Sequence, residues 1–102
     1  MNKNIFNLPK ALTEKEEQVT LLSHPSAKIC KIISPPNFIS EVFSQVTDEW
    51  LSLVQGEATL EVDEKEVHLS AGDTFFIAAK VPHKIKTTSS SPLAIWLTVY
   101  LA

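Results

Sequence analysis

The chain has 102 residues, of which 44% are hydrophobic and 21% are charged, with a net charge of −3. This length fits one globular domain and excludes a two-domain or solenoid architecture, while the apolar content and small net charge argue against disorder. All nine basic residues are lysine, so the guanidinium fork that recognises phosphates and base edges is missing, and the sequence pI of about 5.5 argues against a nucleic-acid partner.

Residues 1–17 are predicted to form an irregular N-terminal arm, and residues 18–102 the folded domain. Within the arm, Thr13 and Glu16 have the spacing of a capping box, which predicts a short helical turn. The opening residues contain no apolar stretch of signal-peptide length, and no later segment approaches the roughly 20 apolar residues of a transmembrane helix. We therefore expect no membrane partner and a cytoplasmic location.

After Gln18 the sequence becomes a succession of short segments rich in Val, Ile, Leu, Phe and Thr, many of them separated by turn residues. Without helical stretches between them, these segments predict an all-β barrel of about nine or ten strands. The single cysteine, Cys30, lies in one of them and is expected to be buried rather than reactive. The predicted strands are 18–24, 27–34, 38–45, 49–55, 57–62, 65–70, 73–79, 82–88 and 92–101.

Alternation of apolar and polar residues predicts which side chains face the interior. In the segment EATLEV, Ala58, Leu60 and Val62 share one face, and the polar residues share the other. The same pattern in KEVHLS makes His68 a solvated surface residue. The acidic residues Glu14, Glu16 and Glu17 are interpreted in the same way, as part of a solvated face.

The last strand is apolar on both faces, so its alternation leads to a prediction about assembly. The face that begins with Ile95 and contains Leu97 and Val99 is assigned to the barrel interior. Trp96 and Tyr100 then point outward and need cover from the N-terminal arm or, preferably, from a second subunit. The sequence therefore predicts a homodimer.

Residues 49–83 read EWLSLVQGEATLEVDEKEVHLSAGDTFFIAAKVPH, and Glu49 is followed by six residues and then Gly56. Farther on come Gly72 with Asp73, and Pro82 with His83. This pattern resembles the two-motif core of the cupin superfamily, and the segments TDEWLSLVQGEATLEV and PLAIWLTVYL are similar to a small single-domain cupin group of undefined function. The resemblance implies a jelly-roll β-barrel, also called a double-stranded β-helix, in which the only two glycines of the chain occupy tight turns.

The same resemblance implies a metal site of three histidines and one glutamate, with two of the histidines shortly before Glu49. Those positions hold Val42, Phe43, Ser44 and Gln45 instead. What remains is Glu49, His83 and the neutral ligand Gln45, which predicts at most a weak site for Fe, Mn, Ni or Zn. We expect no firmly bound cofactor, with a weakly held divalent metal ion as the alternative.

Glu49 and His83 lie in segments whose alternating positions, such as Leu51 and Ile85, are apolar, so both side chains are expected to face the interior. Buried ionisable groups are costly unless they are paired, which predicts hydrogen bonds with each other, with Gln45 or with a ligand. Such a pair could act as a general acid and base. The alternative is that Glu49 is a rim residue and His83 a core histidine with internal partners.

Three functions remain open from the sequence. The favoured one is a metal-poor or metal-free module that binds a small organic ligand at the barrel mouth. The second is an enzyme with His83 and Glu49 as catalytic residues, either assisted by a metal ion on Gln45, Glu49 and His83 or free of metal. The third is a catalytically silent homodimeric barrel. The residues predicted to line the ligand pocket are Phe43, Gln45, Glu49, Leu51, Ile77 and His83.

Overall fold

The computed structural model describes residues 4–9 and 11–102, and in this part of the chain it contains eight β-strands and no helix. It follows that no described helix is long and apolar enough to cross a bilayer. The strands are β1 (Glu17–His24), β2 (Ala27–Ile33), β3 (Asp48–Gln55), β4 (Glu57–Val62), β5 (Lys65–Ser70), β6 (Thr74–Ile77), β7 (His83–Thr88) and β8 (Ile95–Leu101).

The strands form two antiparallel sheets that share one hydrophobic core. The larger sheet has the order β1-β2-β8-β3-β6, and the smaller has the order β5-β4-β7. Leu51, Leu53 and Trp96 from the larger sheet pack in one cluster with Leu60 and Ile85 from the smaller sheet. This arrangement confirms the predicted all-β jelly-roll barrel.

The interior face of the smaller sheet is the one that alternation predicts. Ala58, Leu60 and Val62 of β4 are buried. His68 of β5 is exposed, and its Nδ1 lies 3.2 Å from the hydroxyl of Thr59 on the neighbouring strand. A strand with one apolar and one polar face has only one stable orientation in a barrel, which explains why this prediction is confirmed.

The predicted strand 38–45 is wrong, because this segment forms only an isolated bridge between Phe43 and His83. The backbone amides of Asn37, just before the segment, and of Ser40 and Phe43 within it donate to carbonyl oxygens of β7, at every third residue. A strand in a ladder would repeat with a period of two. The segment therefore follows β7 as an irregular connection.

The predicted helical turn near Thr13 is also wrong. The Thr13 hydroxyl accepts from the amide of Lys15 at 3.1 Å, two residues on, rather than from the amide of Glu16. The Glu16 carboxylate accepts a hydrogen bond from the Ser34 hydroxyl instead of reaching back to Thr13. A tertiary contact has replaced the capping box, and β1 begins at the next residue, Glu17.

The predicted orientation of β8 is reversed. Trp96 and Thr98 are 3% and 2% exposed and face the interior, and Trp96 lies opposite Leu53 in the sheet register. Ile95 is on the outer face, although it is fully buried. Near Ile95 and Trp96 both faces of β8 are covered, and both are apolar. Alternation therefore separates the two faces without showing which one is interior.

The outer face of the larger sheet is covered in part by the N-terminal arm. Lys31, which lies opposite Leu97 in the register, is 6% exposed. Its ammonium group donates to the carbonyl oxygen of Asn7 at 2.8 Å and to that of Asn4 at 3.4 Å. The arm therefore gives this buried lysine its hydrogen-bond partners.

Candidate functional site

A cavity of about 60 Å³ lies inside the barrel between the two sheets. This volume holds a few water molecules or a very small organic group, and it is below the roughly 300 Å³ of a typical ligand pocket. Its lining residues are Glu16, Ile32, Phe43, Glu49, Leu51, Leu60, Ile77, His83, Ile85, Trp96, Thr98 and Tyr100.

Glu49 and His83 form the polar centre of the cavity. Glu49 is the second residue of β3 and His83 the first of β7, so the two sheets bring them together. Glu49 Oε1 lies 3.8 Å from His83 Nε2, and both side chains are less than one-tenth exposed. The two groups therefore lie close together inside the barrel, as the sequence predicts.

The proton positions on His83 follow from its surroundings. Nδ1 lies 3.0 Å from the carbonyl oxygen of Val81, which can only accept, so Nδ1 carries a proton. Nε2 is buried and has no hydrogen-bond partner among the described residues. In the neutral ring Nε2 is an acceptor, and so is the Glu49 carboxylate that faces it. With the ring neutral, the two groups therefore need a hydrogen-bond donor between them.

The Glu49 carboxylate is held by a neighbour on the connection that precedes β3. Gln45 Nε2 donates to Glu49 Oε1 at 2.7 Å. Burial raises the pKa of the Glu49 carboxyl above its usual range, although this hydrogen bond and the nearby imidazole of His83 act in the opposite direction. The energetic cost of a buried negative charge is thus only partly compensated by the protein.

Phe43 orients His83 from the rim of the cavity. The backbones of the two residues exchange hydrogen bonds of 3.0 and 2.9 Å, and their rings meet edge to face with centroids 4.7 Å apart. Phe43 is 44% exposed, so it does not fill the core. It forms part of the cavity wall and part of the protein surface.

The carboxylate of Glu16 also lines the cavity, although the sequence predicts a solvated position for it. Glu16 accepts from Ser34 Oγ, which in turn accepts from the indole nitrogen of Trp96 at 2.9 Å. Burial raises the pKa of Glu16, and the charge of Glu49 adds to that rise, whereas the Ser34 hydrogen bond lowers it. Alternation does not predict this position, because Gln18 and Thr20, on the same face of the chain as Glu16, are polar and exposed.

Two polar residues of β8 complete the site. The Thr98 hydroxyl is buried, and it has no hydrogen-bond partner among the described residues. Burial, followed by the charge of Glu49, raises the pKa of Tyr100 to about 12, so its hydroxyl keeps its proton near neutral pH. The sequence does not predict either residue as a site residue, because alternation assigns Trp96 and Tyr100 to the outer face.

Of the predicted pocket residues, the structure places Phe43, Glu49, Leu51, Ile77 and His83 on the cavity wall. Gln45 contacts Glu49 but lines a separate, wider depression outside the barrel. That any of these residues contacts a ligand stays a prediction.

The available donors do not fit a stable transition-metal site. Glu49 and His83 provide one carboxylate and one imidazole, and the carboxylate of Glu16 accepts from Ser34. Gln45 directs its amide nitrogen, which does not ligate metals, at the carboxylate of Glu49. No group of three or more His, Cys, Asp or Glu side chains within the described residues could hold a metal ion. First-row metal ions need several nitrogen or charged oxygen donors to displace their water.

Comparison with known proteins identifies the class of protein that this fold defines. A family model described as a cupin domain matches residues 33–100, well over half of the chain. The chain therefore belongs to the cupin family, and the resemblance in its sequence is confirmed. A search of curated proteins returns no match.

Solved structures agree with this assignment. A Ralstonia eutropha protein provisionally described as a mannose-6-phosphate isomerase is 25% identical, with 99% of this chain and 97% of that one covered and a TM-score of 0.88. An RmlC-like cupin from Shewanella frigidimarina is 20% identical, covering 89% of this chain and 79% of its own, at a TM-score of 0.78. A cupin superfamily protein from Desulfitobacterium hafniense is 17% identical, with coverages of 91% and 83% and a TM-score of 0.78. At such identities the last two likenesses show the fold alone.

Proposed function

We propose that this cupin domain binds a small organic molecule in the cavity between its sheets, without a tightly held metal ion, and that Glu49 and His83 contact the molecule. The observation that carries this proposal is that His83 Nε2 and Thr98 Oγ1 are buried without a hydrogen-bond partner among the described residues. Both residues line the cavity. A buried polar group without a partner costs about 1–3 kcal/mol, and a ligand that supplies the missing partners offsets this cost.

The cavity wall restricts the chemistry of the ligand. A hydrogen-bond donor on the ligand fits between His83 Nε2 and Glu49 Oε1, because the carboxylate accepts and so does Nε2 of a neutral ring. The rest of the wall is largely apolar, with Leu51, Leu60 and Ile77 among its residues. A ligand group of a few heavy atoms, with one donating end and one apolar end, has the matching size and polarity.

Metal-free acid–base catalysis by the same pair is the second candidate. It is favoured by the 3.8 Å separation of Glu49 Oε1 and His83 Nε2 and by the buried position of both groups. Isomerisation of a sugar phosphate, suggested by the description of the Ralstonia eutropha protein, is disfavoured here. The cavity wall carries two glutamates and, among its described residues, no lysine to bind a phosphate.

A screen of small amines, alcohols, acids and sugars by thermal unfolding tests the binding role. A ligand at about 100 times its dissociation constant stabilises the fold by about 2.7 kcal/mol, which corresponds to a rise in Tm of roughly 10 °C or more for a domain of this size. The variant His83→Gln should lose most of that rise, and the control variant His68→Gln, altered at an exposed histidine, should keep it.

Two results contradict the proposal. One is a screen in which no compound raises Tm, or in which His83→Gln responds as the wild type does. The other is stoichiometric transition metal in protein purified without a chelator, measured by elemental analysis, which contradicts the metal-free part. Substrate turnover by a compound that binds would move acid–base catalysis to first place.

A further inference from the structure

The cavity holds two carboxylates, and the one ionisable base among its described lining residues is His83, 3.8 Å from Glu49. Glu16 and Glu49 both line it, and no lysine is among its described lining residues. Lys31, on the neighbouring strand β2, points to the opposite face of the sheet and donates to carbonyl oxygens of the arm. Lys28, which lies opposite Tyr100 in the register, is exposed and lines the separate outer depression.

The hydrogen bonds that the carboxylates receive come from neutral donors. Ser34 donates a hydroxyl to Glu16, and Gln45 donates an amide to Glu49. Two negative charges in one buried space repel each other, and neutral donors reduce this repulsion less than a positive charge would.

The polar atoms without partners in the cavity give a second and independent indication of a ligand. His83 and Thr98 are 7% and 2% exposed, and His83 Nε2 and Thr98 Oγ1 have no hydrogen-bond partner among the described residues. With Nδ1 protonated, Nε2 of the neutral ring can only accept. The cavity therefore offers acceptors from Glu16, Glu49 and His83 in excess over the donors it contains.

Aromatic rings enclose the same space. Trp96, Tyr100 and Phe43 line the cavity together with the two glutamates. The face of an aromatic ring attracts a cation, and this attraction is strongest where water is excluded. Carboxylates and aromatic rings in one small cavity thus both favour a positively charged ligand.

We infer that the ligand of this cavity is a small organic ammonium ion, and that Glu16 joins Glu49 in binding it. This inference rests on the binding role proposed above and specifies the charge class of the ligand. An ammonium group supplies several N–H donors and one positive charge, which match the surplus of acceptors and the two carboxylates. Its alkyl part packs against the apolar wall.

The inference is tested with three probes of similar size and different charge: n-propylammonium chloride, 1-propanol and sodium propionate. Binding to the full chain near neutral pH is measured by calorimetry and by NMR chemical shifts. We expect n-propylammonium to bind at least about tenfold more tightly than 1-propanol, and propionate to bind most weakly. The variant Glu16→Gln should reduce the preference for the ammonium ion over the alcohol by about tenfold.

The controls separate loss of charge from loss of structure. The amide oxygen introduced by Glu16→Gln can still accept from Ser34, so the barrel is expected to fold, and the melting curve of the variant verifies this. Glu14→Gln, an exposed substitution in the same segment, should leave all three affinities unchanged.

The outcomes distinguish this inference from the proposed function. If 1-propanol or propionate binds as tightly as n-propylammonium, or if Glu16→Gln does not change the preference, the ligand is not selected by these carboxylates and the inference is wrong. The binding role then still stands. If none of the probes binds and the thermal screen also gives no ligand, both are wrong.

Discussion

Gly56 and Gly72 both have positive φ values, of 86° and 95°, but their surroundings differ. A Cβ atom added at Gly56 would lie 2.6 Å from Ser89 Oγ and 2.9 Å from Ala94 Cα. A Cβ atom added at Gly72 would meet nothing within 4 Å. Gly56 therefore provides both a backbone conformation and a close approach of two chain segments, whereas Gly72 provides the conformation alone.

We predict that Gly56→Ala destabilises the fold more than Gly72→Ala. Backbone strain costs about 1–3 kcal/mol at either position, and forced displacement of packed atoms adds about 1–3 kcal/mol at Gly56 only. Urea unfolding of the two variants measures the difference. Equal losses of unfolding free energy would show that the contact between Gly56 and the segment around Ala94 can relax.

The partly buried carboxyl of Glu16 predicts a pH-dependent gain in stability when its charge is removed. Its pKa is raised in the folded state by burial and by Glu49, so the folded protein favours the protonated form. The resulting stability is fully present below the pKa of the unfolded chain, and it is lost as pH rises through the higher pKa of the folded state. At neutral pH the wild type therefore carries a cost that Glu16→Gln removes.

Glu16→Gln should be more stable than the wild type at pH 8, by an amount on the order of 1 kcal/mol, and the difference should shrink toward pH 4. Chemical unfolding at the two pH values measures this change. The exposed substitution Glu14→Gln serves as the matched control and should show no such trend. A gain in stability that is the same at both pH values would mean that the charge of Glu16 is not its cause.

At the scale of elements, the irregular connection between β2 and β3 contributes Phe43 to the wall of the cavity. It is joined to β7 at Phe43, whose ring lies against His83 and is 44% exposed. The backbone bonds between these residues do not depend on the side chain of Phe43. A smaller side chain there should widen the entrance and leave the connection in place.

We predict that Phe43→Ala lets longer ligands enter. Because the ring is only partly buried, its loss should cost less than about 1.5 kcal/mol of stability. The affinity for n-hexylammonium relative to n-propylammonium should rise in Phe43→Ala and stay unchanged in Val42→Ala, which alters the exposed neighbour. An unchanged ratio in Phe43→Ala would indicate that ligands enter by another route.

Sequence predicts an element well where its two faces differ in polarity. The inward side chains of β4 and the outward His68 of β5 follow from alternation, because only one face of each strand is apolar. β8 is apolar on both faces, and it could not be oriented without knowing that the arm covers the outer one. Glu16 was misplaced for a related reason, since a run of glutamates is usually solvated and only its contact with Ser34 shows otherwise.

For the whole molecule, the homodimer remains a prediction, but the structure indicates a different surface as the interface. Trp96 is buried, and Tyr100 lines the internal cavity and the depression beside it, so neither lies on the outer face of the larger sheet. The outer face of the larger sheet instead carries an apolar row that crosses all five strands. In the sheet register, neighbouring members of this row lie opposite each other: Leu22, Ile29, Val99, Trp50 and Phe76.

This apolar row has the properties of an interface with a second copy of the chain. Leu22 and Phe76, at its two ends, are 49% and 52% exposed, and none of its five side chains is charged. Two copies related by a twofold axis can place row against row without bringing like charges together. An apolar row whose two ends are exposed favours contact with another chain.

We predict a dimer at micromolar concentration, measured by light scattering coupled to size-exclusion chromatography. Phe76→Lys should shift the mass to that of a monomer without unfolding the barrel, because Phe76 is half exposed and a buried lysine at an interface would lack a partner charge. His68→Lys, on the outer face of the smaller sheet, is the matched control and should remain dimeric. A wild-type protein that is monomeric over this concentration range, or a Phe76→Lys variant that stays dimeric, would show that the row is not the interface.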